Sequence, residues 1–349
     1  MSTSERTPPK SSRTSSILMQ PFGLFIRSTS CAVSTVFLIG FALQLILSYL
    51  PWSVCYMMYL NHASWPPKYL LDFSNLSFYD VEGSNFYIEA NNVTLGVWLL
   101  HPENHTTNPR PNMPVVLYVH GNAGSRATLC RTRLYTNLQR LGFTVVAFDY
   151  RGYGDSSGTP WGEQDLVNDG FAVYEWTRKE YPNKEIFIWG HSLGTGVSTH
   201  LTQFIERQGL KVDGLILDSP FSDLEDAMRS HPLLFPLHFV PGFTETVAKA
   251  MKIMEVNLNN SAAVLTLRLP ILILHAEDDN VVPFHLGQKL YNIAQTRDAP
   301  VSFVTFRREL GYGHKGIYQD PDLPRIVNDF FDVCRRHGGR VPNAPPLEA

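Results

Sequence analysis

Two stretches of the chain have a spelling that can present a serine as a nucleophile: Gly154-Asp155-Ser156-Ser157-Gly158 and Gly190-His191-Ser192-Leu193-Gly194. Such a serine needs an apolar strand running into a tight turn and then a helix, with a glycine on either side to leave room for the flanking elements. Ser192 has that context. Ile186-Phe187-Ile188-Trp189 precedes it, and Val197, Leu201, Phe204 and Ile205 follow at helical spacing as far as a glycine stop at Gly209. Ser156 follows a run rich in glycine and aspartate and leads into Thr159 and Pro160, so it reads as a turn residue.

A serine that attacks an acyl carbonyl needs a base to take its proton, an acid to orient that base, and N–H donors for the oxyanion. In a parallel sheet these partners follow the nucleophile in the order acid, then histidine, each on a loop after the carboxyl end of a strand. The run "LPILILHAEDDNVVP" is an apolar strand emptying into such a loop, and Asp279 is the candidate acid. Asp278 beside it and Asp218, just past the strand Gly214 to Leu217, remain alternatives. A loop aspartate otherwise serves as a turn or helix-cap residue. Val301 to Phe306 leads into "RRELGYGHKG", which delivers His314 as the candidate base. His285 starts a helix and His337 lies in the tail. The oxyanion donors are expected to be the backbone N–H groups of Leu193, directly after the nucleophile, and of Asn122 in the loop "HGNAGSR".

The elements that must hold these residues alternate. Strands are expected at Asn85 to Glu89, Val93 to Leu100, Val115 to Val119, Val145 to Phe148, Ile186 to Trp189, Gly214 to Leu217, Ile271 to Leu274 and Val301 to Phe306. Helices are expected near Cys130 to Arg140, Glu163 to Lys179, after Ser192, and from Leu323 to about Cys334. Short apolar strands alternating with helices give the α/β class, a mostly parallel sheet covered on both faces.

Of 349 residues 44% are apolar, and 29 Lys and Arg stand against 32 Asp and Glu, a balance that argues against a nucleic-acid partner. The four cysteines, Cys31, Cys55, Cys130 and Cys334, have neither a disulfide framework nor zinc spacing, and the expected chemistry needs no metal and no organic cofactor. Residues 1–30 form a basic tail rich in Ser and Thr. Cys31 to Leu50 carries no charge and the apolar character continues to Leu60, so residues 31–60 read as a transmembrane signal-anchor. The run is too long and begins too late for a cleaved signal peptide. Arg6, Lys10, Arg13 and Arg27 precede it and no Lys or Arg follows until Lys68, which places the N-terminus in the cytosol and the rest in a lumen or outside the cell. N-x-[ST] acceptors at Asn75, Asn92, Asn104 and Asn259 all fall on that outer side. The catalytic domain is expected over 70–337, with a tail over 338–349.

Together "VLYVHGNAGSR", "VVAFDYRGYGDSSG", "IFIWGHSLGTGV", "LILDSPFSD", "ILILHAEDDNVVP" and "ELGYGHKGIY" make the chain similar to the α/β-hydrolase superfamily. More narrowly, they resemble its membrane-anchored lipases of lysophosphatidylserine and monoacylglycerols on the lumenal side of the endoplasmic reticulum. The resemblance spans about residues 30–336 and implies the α/β-hydrolase fold. It also implies a lipid ester substrate, the bilayer as partner, and Ser192, Asp279 and His314 as nucleophile, acid and base. On the same fold a peptidase or a protein depalmitoylase is the rival reading, and a catalytically silent binding module is the rival from another class. The span between Leu217 and Ile271 exceeds a plain loop and reads as a cap insertion over about 220–268. Leu233, Leu234, Phe235, Leu237, Phe239 and Val240 form an apolar run in it, expected either to pack as cap core or to line an acyl entrance dipping toward the bilayer.

Overall fold

The computed structural model describes residues 20–103, 113–231 and 234–338, with the side chains of the first helix described from Val33 onward. Eight strands form one sheet: β1 (Gly83–Ala90), β2 (Val93–Leu100), β3 (Val115–Val119), β4 (Thr144–Phe148), β5 (Ile186–His191), β6 (Gly214–Asp218), β7 (Ile271–Ala276) and β8 (Val301–Phe306). Their spatial order is β1-β2-β4-β3-β5-β6-β7-β8. β1 and β2 run antiparallel to each other, as do β2 and β4; all other neighbours are parallel.

Burial on both faces explains why the central strands are continuous apolar runs. Side chains alternate across the sheet, so Ile186 and Ile188 of β5 enter one core while Phe187 and Trp189 enter the other. Ten helices are present among the described residues: α1 (Gln20–Tyr49), α2 (Ser53–Met58), α3 (Leu129–Arg140), α4 (Glu163–Glu180), α5 (Leu193–Arg207), α6 (Leu224–Ser230), α7 (Phe243–Ile253), α8 (Asn260–Val264), α9 (Phe284–Ala294) and α10 (Leu323–His337). Leu134 of α3 and Val327 of α10 belong to one core; Leu166 of α4, Val197 of α5 and Leu286 of α9 belong to the other.

The strand order reverses around β3. From β3 the chain crosses to β4 on one side and then returns to β5 on the other, so the loops after β3 and β5 diverge. The crevice between diverging loops at the carboxyl ends is where an open α/β sheet binds its ligand. The register puts those ends level, Val119 opposite Gly190 and His191 opposite Asp218.

The expectation of one spanning element over 31–60 is corrected. Helix α1 stops at Tyr49, before Pro51, and residues 53–58 form a separate short helix. Leu47, Val54, Cys55, Met58 and Tyr59 are buried in the core that covers α4 and α5. Among the described residues, no helix is long and apolar enough to cross a membrane. Gly40 of α1 abuts Val240, where an added Cβ would lie 2.4 Å from a Val240 methyl. The opposite side of α1 leaves Leu38, Phe41, Leu45 and Tyr49 exposed.

The apolar run in the segment between β6 and β7 also needs correction, because it does not act as one surface. Val240 is core, seated against α1 and α7; Leu237 is half-buried. Phe235 and Phe239 are 58% and 63% exposed and stack edge to face with centroids 5.4 Å apart. Leu234 alone of the described members borders the large cavity beside Ser192, and Leu233 lies outside the described residues. A short 3₁₀ turn over Phe235–Phe239 causes the split, since its tight repeat sends neighbouring side chains in different directions. Among the glycosylation acceptors, Asn75 and Asn92 are exposed, whereas Asn259 is half-buried and caps α8 by accepting the Ala262 N–H at 2.9 Å. Asn104 lies outside the described residues.

Candidate active site

Ser192 sits between β5 and α5 with φ 53° and ψ −121°, a conformation that costs a non-glycine residue about 1–3 kcal/mol and persists only where its surroundings impose it. Here they do. The Ser192 N–H donates to the Asp218 carbonyl at 3.0 Å, and the Ser192 carbonyl accepts both the N–H and the hydroxyl of Thr195, at 2.8 and 2.7 Å. The flanking glycines are steric requirements. A Cβ on Gly190 would lie 2.3 Å from the Gly194 carbonyl oxygen, and one on Gly194 would lie 2.0 Å from the Val119 carbonyl oxygen.

The structure brings Ser192, His314 and Asp279 together. The Ser192 hydroxyl and His314 Nε2 are 2.8 Å apart, and His314 Nδ1 lies 2.8 Å from Asp279 Oδ2. A carboxylate can only accept, so Nδ1 carries the proton and Nε2 presents its lone pair to the serine. Burial alone would raise the Asp279 carboxyl, but hydrogen bonds from His275 and His314 outweigh it and hold the group well below the usual carboxylate range. Its other oxygen accepts the N–H groups of Val281 and Val282, each at 2.9 Å.

The two alternative acids have other tasks. Asp278 accepts the Gly313 N–H at 3.0 Å and so holds the loop that carries His314. Asp218 is buried at the end of β6, where burial first and the Asp279 charge second push its carboxyl up to about 7. Ser156 is buried in a turn, accepting the Gly96 N–H at 2.9 Å and donating to the Asp149 carbonyl at 2.7 Å.

Two histidines unnoticed in the sequence support the triad. His191 Nε2–H donates to the His314 carbonyl at 2.9 Å, and burial keeps this imidazole neutral. His275 Nε2–H donates to the Val282 carbonyl at 2.9 Å and lies 3.4 Å from Asp279 Oδ2. Both sit at the carboxyl end of a strand shortly before a catalytic candidate, which is the signal that could have found them.

The loop after β3 approaches the elbow closely. A Cβ on Gly121 would lie 3.1 Å from the Ser192 Cβ, so glycine permits that approach. Among the described residues the backbone N–H groups of Asn122 and Leu193 donate to no other group of the chain, and both residues border the cavity above Ser192. The Asn122 side chain does something the sequence did not suggest. Its amide donates to the Met58 carbonyl at 2.6 Å and its oxygen accepts the Leu60 N–H at 2.8 Å, tying this loop to the segment after α2.

That tie shapes the cavity, which holds about 590 Å³ and has Ser192 and His314 in its wall. Met57, Met58, Leu60, Phe221, Leu224 and Met228 make its lining mostly apolar, and Thr128, Arg131 and Lys315 also border it. Among the described residues no Asp or Glu lines it. A mostly apolar cavity bordered by Lys315, over an activated serine, suits an amphiphilic ester.

Residues 110–266 match the family model described as serine aminopeptidase S33. The chain is 41% identical over 266 residues to the lysophosphatidylserine lipase ABHD12 of Gallus gallus, covering 71% of this chain and 70% of that one. With the Xenopus tropicalis protein of the same name the identity is 36% over 316 residues, covering 85% and 81%. Protein ABHD12B of Homo sapiens is 34% identical over 291 residues, with 79% of each chain covered. Among solved structures the Pyrococcus furiosus esterase Pf2001 superposes with a TM-score of 0.57 at 18% identity, over 75% of this chain and 94% of that chain, a likeness of fold.

Proposed function

Because the chain belongs to the α/β-hydrolase family of the lysophosphatidylserine lipases, we propose that it is a membrane-attached serine hydrolase releasing the fatty acid from lysophospholipids, lysophosphatidylserine foremost, and from monoacylglycerols. The observation that carries this reading is the cavity, with Ser192 and His314 in a wall that is mostly apolar and, among the described residues, holds no carboxylate. An acyl chain fits the methionine-lined wall, and an anionic head group fits the exposed ammonium of Lys315.

The chemistry then runs through the chain's own residues. His314 Nε2 takes the Ser192 proton as Oγ attacks the ester carbonyl, and Asp279 stabilises the imidazolium while staying ionised. The Asn122 and Leu193 N–H groups receive the oxyanion. His314 returns the proton to the leaving glycerol oxygen, and water, activated in the same way, releases the fatty acid from the acyl-enzyme.

The aminopeptidase named by the family model needs a carboxylate to grip a substrate ammonium, and no acid among the described residues lines this cavity. A silent binding module has no use for an ionised Asp279 or for a serine held in a strained turn. Membrane attachment draws support from the exposed apolar side of α1 and from Phe235 and Phe239. In this reading the catalytic domain works at the lumenal face of the endoplasmic-reticulum membrane, and the face between β6 and β7, which borders the cavity through Leu224, Met228 and Leu234, acts as its cap. Asn75 and Asn92, both exposed, suit glycosylation there.

The test is fatty-acid release by the full chain in phosphatidylcholine vesicles. The panel contains lysophosphatidylserine, lysophosphatidylcholine, monoacylglycerol, an aminoacyl anilide and an acyl-thioester peptide. Preference for lysophosphatidylserine, lost in Ser192→Ala, supports the reading; cleavage of the anilide or the thioester in preference to every lipid ester overturns it.

A further inference from the structure

Arg131 lies in the first turn of α3, 4% exposed, beside the cavity. An arginine there would be expected to pair with an acid, since a buried guanidinium stays charged. Among the described residues it has no carboxylate within ion-pair distance. Its partners are carbonyl oxygens of the loop after β3: Nη2 donates to Gly121 and to Ala123, each at 2.9 Å, and Nη1 donates to Ser125 at 2.6 Å.

The first of these bonds fixes a direction. The Gly121 carbonyl and the Asn122 N–H belong to one planar trans peptide and point opposite ways. Holding the carbonyl therefore aims the N–H. His120 Nδ1–H adds a second bond to the same oxygen at 2.7 Å. On the other side of the site Thr195 does the same, since its two bonds to the Ser192 carbonyl aim the Leu193 N–H. The two expected oxyanion donors are thus each set from behind by a grip on the carbonyl of their own peptide. The grip on Asn122 carries a full positive charge, which polarises the peptide and strengthens its N–H as a donor.

We propose that Arg131 is a positioning residue of the oxyanion hole, aiming and polarising the Asn122 N–H toward the charge that develops on the substrate oxygen. The proposal rests on the assignment of Ser192 as nucleophile but not on which ester is the natural substrate. The loop has other anchors: the Arg126 N–H and Nη1 on Asp149, at 2.6 and 2.5 Å, and the Gly124 N–H on the Ala63 carbonyl at 2.8 Å. Removing Arg131 therefore releases three carbonyls, the one behind the Asn122 N–H among them, without dismantling the loop. Lysine does not replace it, because one ammonium cannot span three carbonyls held by a planar fork.

The experiment compares the full-length wild-type protein with Arg131→Met, Arg131→Lys and Arg131→Ala on p-nitrophenyl butyrate. Binding of a trifluoromethyl ketone, whose adduct with Ser192 places an oxyanion in the hole, is measured alongside. For Arg131→Met kcat falls about 10²-fold, as for loss of one oxyanion donor, and ketone affinity falls in parallel. KM stays within about threefold, since the interaction is made in the transition state. Added guanidinium partly restores kcat in Arg131→Ala and not in the wild type. Should Arg131→Met not fold, Arg131→Lys carries the same expectation at about a tenfold loss. Folded variants that keep kcat and ketone affinity within about threefold overturn the proposal, whatever their Tm. So does a rise in KM alone, which would make Arg131 a substrate contact. A wild-type protein inert to both ester and ketone sinks the nucleophile assignment, and the brace with it.

Discussion

Replacing Asp279 by asparagine tests the triad through a change of one atom. In the native site Oδ1 accepts the N–H groups of Val281 and Val282, each at 2.9 Å, and Oδ2 accepts His314 Nδ1–H at 2.8 Å. Asparagine keeps one acceptor and turns the other into a donor. If the amide nitrogen faced Val281 and Val282, two buried N–H groups would lose their partner at about 1–3 kcal/mol each. If it faces His314 instead, both backbone bonds survive, so this orientation is favoured by about 2–6 kcal/mol. The imidazole must then accept at Nδ1 and carry its proton on Nε2, which points at the Ser192 hydroxyl with no lone pair to receive its proton. The damage is a wrong tautomer in an intact fold. The expected loss in kcat is about 10⁴, the scale seen when a triad carboxylate becomes an amide. Asp278→Asn retains an oxygen for the Gly313 N–H, and Asp218→Asn leaves the backbone carbonyl that holds Ser192, so both lose less than about tenfold. Steady-state hydrolysis of p-nitrophenyl butyrate by the three variants, with fluorophosphonate labelling rates, decides the matter. An Asp279→Asn enzyme keeping more than about a tenth of kcat, or an Asp218→Asn enzyme worse than it, refutes the tautomer argument.

Ser192→Ala abolishes fluorophosphonate labelling, whereas Ser156→Ala labels normally; it lowers stability by about 1–3 kcal/mol, because its hydroxyl bridges the Gly96 N–H and the Asp149 carbonyl. Denaturant melts with labelling separate the two effects, and full labelling of Ser192→Ala would overturn the assignment. Asp218 is raised from its ordinary 3.8 to about 7 in the fold, so the stability gained from its protonated form is complete below about pH 4 and lost as pH rises through 7. Asp218→Asn removes that decline, and its Tm relative to wild type climbs between about pH 4 and pH 8; parallel Tm curves would contradict this. Phe235→Asp with Phe239→Asp, on a surface 58% and 63% exposed, weakens vesicle binding and turnover of long-chain lysolipid while p-nitrophenyl butyrate hydrolysis holds. Equal loss on both substrates would mean that these rings serve the fold rather than a lipid surface.

What could be read from the sequence and what could not divide along a physical line. Central strands are legible because burial on both faces demands continuous apolar runs, as in Val115–Val119, whose five residues are all buried. Ser192, Asp279 and His314 were locatable because each lies on a loop after the carboxyl end of a strand, the end of the sheet at which an open α/β fold binds its ligand. Hydropathy, however, measures how apolar a segment is and not what its apolar side touches. The stretch from Cys31 to Leu60 has one composition, yet Leu47, Val54 and Met58 pack into the hydrolase core while Leu38 and Phe41 face outward. The turn at Pro51 and the bonds from Asn122 to Met58 and Leu60 carry the end of this segment onto the active site. A helical arginine such as Arg131 likewise reads as surface charge until the carbonyls it holds are in view. Both surprises come from contacts between parts of the chain far apart in sequence, and both act on the loop that bears Asn122. On that loop the two contacts meet at a single residue, Asn122. The end of α2 and the residues after it hold the Asn122 side chain, while Arg131 holds the peptide behind its N–H.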